Sequence, residues 1–402
     1  MSQFIPADRV GRINESPSSA AAARVRTLKS TGIPIIDLTV GEPDFDTPQH
    51  IKDAAIAAIM AGETKYTPVN GTPALRDAIV RRLERTTGIR YEHANITVGG
   101  GGKQVIFVAF MATLNAGDEV IIPAPHWVSY PDMVRANDGN AVIVNTRDED
   151  SFKLTPADLE NAITSRTKWL VLNTPSNPTG ATYSGEELRG LADVLSKHPH
   201  VSVLLDEIYD EISYTGERAL SLLAVAPELR DQGLLVNGVS KAYSMTGWRL
   251  GYAAGSAALV GAINKLQSQI SSCPSSISQA AAVAALDGPQ DFIAETVAVY
   301  QQRRDRALEA LGAIDGLNPI VPDGAFYLFV NCDGVIGKVT PSGMTIETDQ
   351  DFTLYLLDHV QVAVIQGSAY GLKPFFRISF ATDIDTITAG AAAIARAVGD
   401  LT

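Results

Sequence analysis

What most constrains the fold of this chain is a repeated pattern: a short apolar run stops at a cluster of glycine, proline, asparagine or acidic residues, and a helical stretch follows. The runs lie at residues 95–98, 119–123, 141–144, 169–172, 201–205 and 234–236. Most end in an unusual cluster. Gly99-Gly100-Gly101-Gly102-Lys103-Gln104 closes the first and Pro125-His126-Trp127 the second, residues 173–180 follow the fourth, and Asp206-Glu207-Ile208-Tyr209 the fifth. The last breaks at Asn237-Gly238 and leaves Lys241 just beyond. Strands that are apolar throughout are covered on both faces, and their alternation with helices predicts an α/β chain with a mainly parallel, doubly wound sheet. Ligands of such sheets sit beyond the carboxyl ends of the strands. Gly102, Trp127, Asn177, Asp206 and Lys241 all fall there.

With 402 residues, 46% of them hydrophobic, the chain has material for a large core and two domains. A net charge of −13 argues against a nucleic-acid partner and agrees with small-molecule chemistry. Two isolated cysteines, Cys273 and Cys332, make no disulfide framework, and the six histidines show no metal-ligand spacing, so no metal is expected. A reducing cytoplasm is the default for such a chain. The opening MSQFIPADRVGR lacks the apolar core of a signal peptide, and no apolar run reaches membrane-spanning length.

Along the chain, residues 1–45 read as an N-terminal arm and part of a small domain, 46–290 as a large domain, and 291–402 as a small C-terminal domain. The first part holds an alanine-rich helix over 19–29, with Arg24, Arg26 and Lys29 on its polar side, and a strand over 33–40. Helices are expected over 50–60, 73–85, 105–114, 185–197, 292–311 and 385–398, and a loop over 268–279. Strands over 324–330, 362–365 and 375–380 belong to a smaller α+β unit.

Lys241 stands between apolar sequence and Gly247-Trp248-Arg249-Leu250-Gly251. Partial desolvation there lowers a lysine pKa and makes a better amine nucleophile toward a carbonyl cofactor. A lone lysine is more often a solvated loop residue; the company it keeps favours the chemical reading. Strand, glycine loop and helix start around Gly101-Gly102 present backbone N–H groups to a phosphate, although the spacing is neither a Walker A loop nor a clear GxGxxG.

Five motifs, GEPDFDTP (41–48), SNPTG (176–180), DEIY (206–209), SKAYSMTGWRLG (240–251) and FRISFA (376–381), resemble the class I/II aminotransferases in the same order. These are fold type I enzymes that use pyridoxal 5′-phosphate (PLP). The resemblance runs from about residue 13 to the C-terminus and is nearest the bacterial aspartate/prephenate subgroup. It implies transfer of an amino group from an L-amino acid, aspartate or another acidic or aromatic donor, to a 2-oxo acid such as 2-oxoglutarate. By resemblance, Lys241 holds PLP covalently and then shuttles a proton, and Asp206 pairs with the pyridine nitrogen. Tyr209 and Asn177 match the donors to the cofactor's O3′, and Trp127 the ring stacked on the pyridine. Arg249, Ser240 and the N–H groups of Gly101 and Gly102 match the phosphate site. Tyr66 resembles a tyrosine that reaches the phosphate of the neighbouring subunit, which implies a homodimer with shared active sites. For the substrate, Arg377 matches the fork on the α-carboxylate and Gly41 the backbone that closes on it, with Trp127 and Asn177 alongside. Lys103 has two readings, a cation for a distal carboxylate or a balance for the phosphate.

The chain departs from its relatives in three places. Gly238 stands where a phosphate-binding serine is common, His126 where tyrosine is common, and 268–279 contains no arginine for a distal carboxylate. A PLP-dependent carbon–sulfur lyase or cyclopropane-forming synthase shares the cofactor residues and is the alternative. A PLP-binding regulator fits less well, because such regulators carry a basic winged-helix domain ahead of the fold, and only about 30 residues precede the first strand here.

Overall fold

A computed structural model describes residues 4–15 and 17–402; residues 1–3 of the expected arm and residue 16 lie outside it. In chain order the strands are β1 (Ile36–Asp37), β2 (Ile96–Gly99), β3 (Glu119–Ala124), β4 (Asn140–Asn145), β5 (Thr167–Asn173), β6 (Ser202–Asp206) and β7 (Gly233–Gly238). There follow β8 (Gly251–Ala254), β9 (Asn318–Pro319), β10 (Tyr327–Asn331), β11 (Val362–Ala363), β12 (Ile365–Gln366) and β13 (Phe375–Ser379).

The expected doubly wound sheet is present, with strand order β2-β8-β7-β6-β5-β3-β4. All its strands run parallel except β8, which lies antiparallel between β7 and β2. Residues 251–254, Gly-Tyr-Ala-Ala, are too short and too poor in branched side chains to read as a strand from sequence. Their small size is the point: a Cβ on Gly251 would strike the backbone nitrogen of Gly102. Glycine at 251 therefore lets β8 lie directly against the start of the helix Gly102–Thr113. One face of the sheet packs Val105, Phe110, Ile122, Trp169 and Val236; the other packs Leu75, Leu170, Leu188, Leu205 and Leu235. Burial on both faces is the physical reason the inner strands are apolar throughout; the edge strand β4 is only partly covered, and Ile143 in it is exposed.

Residues 33–40 form less strand than expected. Only β1 pairs, with β11 and in parallel. Pro34 has no N–H to give on one side. On the other, Asp37 Oδ1 accepts from the N–H and the hydroxyl of Thr39 at 3.1 and 2.6 Å, which bends the chain out of the ladder. The run 362–365 also divides at Val364: β11 pairs with β1, whereas β12 joins the four-stranded antiparallel sheet β12-β13-β10-β9. A second core, around Phe326, Leu328, Phe352, Phe376 and Ile394, fills that region and takes in Tyr209 and Ile212.

The span 268–279 is mostly helical rather than a loop. It joins the end of one helix, Ala257–Ile270, to the start of another, Ser276–Asp287. Ser256 and Ser275 cap them, accepting from Leu259 N–H and Ser278 N–H, so the serines that suggest a loop are the helix starts. The buried amides of Gln267 and Gln279 hold the loop at 67–72: Gln267 donates to the Val69 carbonyl and to the Val98 carbonyl of β2, and Gln279 donates to the Thr67 hydroxyl and accepts from Thr72 N–H. Thr348 and Asp351 make a capping box for a further unexpected helix, Asp349–Val360.

Candidate active site

A cavity of about 580 Å³ opens at the carboxyl ends of the parallel strands. Gly41, Gly102, Lys103, Trp127, Asn177, Asp206, Tyr209, Ser240, Lys241, Arg249 and Arg377 all line it. Gly101 adjoins it through Arg249. Tyr66 is not among the lining residues; it is 91% exposed and stands over a separate groove with Lys65, Thr67 and Ser276.

Each side chain is placed by the strand it follows. Asp206 is the last residue of β6, in the middle of the sheet, and is buried. Its Oδ2 accepts the Tyr130 hydroxyl at 2.6 Å, and its Oδ1 lies 3.4 Å from Ile208 N–H. Burial pushes its pKa up, opposed by those two hydrogen bonds and then by the Lys241 charge. It makes no ion pair among the described residues. A buried carboxylate without a cation is expensive, and its orientation into the cavity suits a cationic ring nitrogen as the missing partner.

Lys241 follows β7. Its Nζ donates to the Gly41 carbonyl and stands 5.7 Å from the ring centroids of Tyr209 and Phe326. Burial lowers its pKa to about 8, opposed by Glu42, while Arg377 and Arg249 lower it further and Asp206 raises it. The amine is therefore available as nucleophile and base near neutral pH.

Arg377 comes from the middle of β13, register-paired with Phe329 and Ile365 and only 3% exposed. Its Nη1 donates to Asn177 Oδ1 at 3.0 Å and its Nη2 to the Thr39 carbonyl at 2.8 Å. Its guanidinium lies 4.2 Å from the Tyr327 ring centroid, and Nε is buried without a partner. A locked fork with an unused donor is suited to a carboxylate. Asn177 spends its carbonyl on Arg377, so its NH2 remains to donate. Tyr209 exchanges a hydrogen bond with the Tyr327 hydroxyl at 2.9 Å, and burial raises its pKa well above the ordinary phenol value, which keeps it a neutral donor.

At the helix start, Gly101 has φ +101°, and a Cβ there would run into the Arg249 guanidinium. Arg249 itself has φ 54°, a costly backbone for a residue other than glycine. The bend turns its guanidinium back to donate to the Thr246 carbonyl at 3.0 Å and the Gly100 carbonyl at 3.2 Å. A helix N-terminus beside an arginine is an anion site. Lys103 stacks over Trp127, Nζ to ring centroid 4.7 Å, and its pKa is lowered by burial and by Arg249. The cavity thus offers a phosphate end, an acid for a ring nitrogen, a lysine amine and a carboxylate fork. Those are the parts that PLP and an amino acid need together, and the residues fit that cofactor.

The model of the family "Aminotransferase class I and II" matches residues 33–394. This chain belongs to the class I/II aminotransferases. Its relatives within that family include the aspartate aminotransferase of Rhizobium meliloti strain 1021, 53% identical over 94% of this chain and 92% of that protein. They also include a probable aspartate/prephenate aminotransferase of Rickettsia bellii, 50% identical over 98% of each. Among solved structures, aspartate aminotransferase from Rhizobium meliloti superposes with a TM-score of 0.97 at 51% identity over the whole of both chains. The Thermus thermophilus enzyme with maleate does so at 0.91 and 37% identity, over 98% of this chain and all of that one. The mainly parallel sheet with a smaller antiparallel one is thus the fold of an aminotransferase, as expected.

Two of the departures, Gly238 and His126, lie in closely packed surroundings. A Cβ on Gly238 would lie 3.0 Å from the Leu250 carbonyl and 3.1 Å from Gly251 Cα, so a side chain there would require the tight β7–β8 contact to give by a few tenths of an ångström. His126 is buried with Nδ1 3.1 Å from the Trp127 carbonyl, and its backbone N–H donates to Tyr370. Its ring faces Gly371, where a Cβ would lie 2.9 Å from Nε2. Tyr130, Tyr327 and Glu42 are site residues that the sequence analysis passes over. Of these only Glu42 has a sequence signal, its place in the GEPDFDTP motif at 41–48.

Proposed function

We propose that this aminotransferase binds PLP at Lys241 and moves the amino group of an acidic L-amino acid to a 2-oxo acid such as 2-oxoglutarate. What most supports this is that Lys241, Asp206 and Arg377, from three different parts of the chain, line one cavity. When bound, PLP supplies a protonated ring that draws the electron pair left at the substrate Cα. Lys241 would take the proton from the substrate Cα and deliver it to the cofactor carbon, and would reverse that transfer with the 2-oxo acid. Asp206 keeps the ring nitrogen charged, Asn177 and Tyr209 donate to O3′, and Trp127 covers the ring. Arg249, Ser240 and the N–H groups of Gly101 and Gly102 hold the phosphate. Arg377 and the backbone at Gly41 hold the α-carboxylate and so aim the Cα–H bond at Lys241. In this reading residues 46–290 form the large PLP-binding domain, 291–402 the small one, and 1–45 an arm and part of the latter, in a cytoplasmic enzyme.

Lys103 is the cation proposed for the side-chain carboxylate. A panel of single half-reactions tests the function, following the absorbance of bound PLP as each amino acid converts it to the amine form. Aspartate and glutamate are expected to react fastest; no conversion by any amino acid would overturn the reading in favour of a lyase or regulator. A charge-assisted contact contributes about 1.5–3 kcal/mol, so Lys103→Met is expected to lose roughly ten- to a hundredfold in kcat/KM for acidic donors. Alanine and phenylalanine should be nearly unaffected; equal losses would assign Lys103 to the phosphate.

A homodimer with shared sites is part of the proposal. Ile56, Ile59 and Met60 form an exposed apolar face on the helix Gln49–Met60, with Met60 82% exposed, and Tyr66 stands exposed nearby in the chain. Mixing inactive Lys241→Ala and Tyr66→Ala subunits should restore one intact site per hybrid, about a quarter of normal activity at random pairing. No recovery after verified exchange would mean that Tyr66 serves its own subunit or none.

A further inference from the structure

The motif Gly41-Glu42-Pro43-Asp44-Phe45-Asp46-Thr47-Pro48 contributes the Gly41 backbone and the Glu42 charge to the site above, yet it is tied down along its length. Thr47 donates its hydroxyl to the Ser244 carbonyl at 2.7 Å and accepts Trp248 Nε1–H at 3.0 Å, and Glu42 accepts the Thr246 hydroxyl at 2.8 Å. Those three contacts join it to the Lys241–Arg249 loop. On the other side Asp44 takes a bidentate pair from Arg303, at 2.7 and 2.8 Å.

Arg303 is an anomaly in its own helix. Asp291–Gly312 buries Ile293, Thr296, Tyr300, Ala307 and Leu311 at helical spacing, and Arg303 sits in that same stripe at 8% exposure. Its guanidinium lies 5.1 Å from the Phe45 ring centroid and 5.7 Å from that of Tyr300, and Phe45 meets Tyr300 edge-on at 5.3 Å. Tyr300 packs on Phe326, and Phe326 on Tyr209, each at 5.5 Å. An arginine in an apolar stripe is costly unless it is paired. Here its pair lies three residues from Gly41, whose carbonyl receives the Lys241 ammonium.

We propose that Arg303 is a positioning residue for the reaction: by clamping Asp44 it sets the backbone at Gly41, and with it both Lys241 and the substrate carboxylate. The inference rests on the PLP reading of the site. Lysine at 303 keeps the charge but cannot make the planar bidentate pair, so Gly41 loses its fixed place.

The test compares wild type, Arg303→Lys, Arg303→Met and Asp44→Asn. Because the clamp sets both the carboxylate site and the proton-transferring Lys241, kcat/KM for aspartate should fall about tenfold in each variant, through a rise in KM together with a fall in kcat. A second readout is the rate of covalent PLP attachment to cofactor-free protein as a function of pH. Removing the carbonyl that favours the Lys241 ammonium should move the midpoint of that profile to lower pH. A lower melting temperature with unchanged kcat/KM and unchanged midpoint would make the pair merely structural and overturn the proposal. If Arg303→Met fails to fold, Arg303→Lys and Asp44→Asn still decide. Failure of wild type itself to attach PLP would instead overturn the functional reading on which this rests.

Discussion

Lys241→Ala is expected to abolish covalent capture of PLP and to reduce transamination by at least about 10²–10⁴-fold, the range that a positioned proton-transfer group supplies. The loss should be larger than for any other single change, because the same amine both holds the cofactor and handles the Cα proton. Borohydride reduction of the yellow wild-type protein, followed by peptide mapping, should find the cofactor on the peptide containing Lys241 and on no other. Labelling at another lysine would overturn the assignment. The pH dependence has a definite sign. Burial lowers the Lys241 pKa from the ordinary lysine value to about 8. Only the neutral amine attacks a carbonyl, so the attachment rate in cofactor-free protein should climb with pH and level off above about 8. A profile still climbing through the ordinary lysine range would mean that Lys241 is solvated.

Asp206→Ala is expected to lose roughly 10²–10³-fold or more in turnover, because breaking a buried charge pair by deleting one partner costs several kcal/mol. The cofactor-free variant should nonetheless fold, with a melting temperature equal to or above that of wild type. Burial raises the Asp206 pKa. The folded state therefore disfavours its carboxylate at neutral pH, and removing it relieves that cost. Asp206→Asn separates charge from shape: it keeps a hydrogen-bonding partner for Tyr130 but cannot stabilise a protonated ring nitrogen. A near-normal rate in either variant would place the ring-nitrogen partner elsewhere. A melting temperature well below that of wild type would show that the orphaned Tyr130 hydroxyl costs more than removal of the buried carboxylate relieves.

The amino-acid sequence by itself was sufficient for the parallel sheet and for most of the cavity. Strands buried on both faces must be apolar throughout, and any polar residue next after such a run stands at the sheet's edge. That logic places Asp206, Lys241, Asn177, Trp127 and Gly102 together without coordinates. It fails where pairing depends on distant partners. Asp37 bends its own strand by accepting from Thr39, and Val364 divides one apolar run between two sheets. The short β8, Gly-Tyr-Ala-Ala, is a strand because β7 and β2 flank it, and the serines around 271–275 end and begin helices.

Tertiary structure alone decided the contacts between residues far apart in the chain. Nothing local in the sequence pairs Tyr130 with Asp206, Tyr327 with Tyr209, or Asp44 with Arg303 across 259 positions. Periodicity records whether a side chain is buried, not which group it meets. Arg303 illustrates the limit. Its spacing puts a cation in a buried helical stripe, and only the folded chain supplies the Asp44 carboxylate that makes this tolerable.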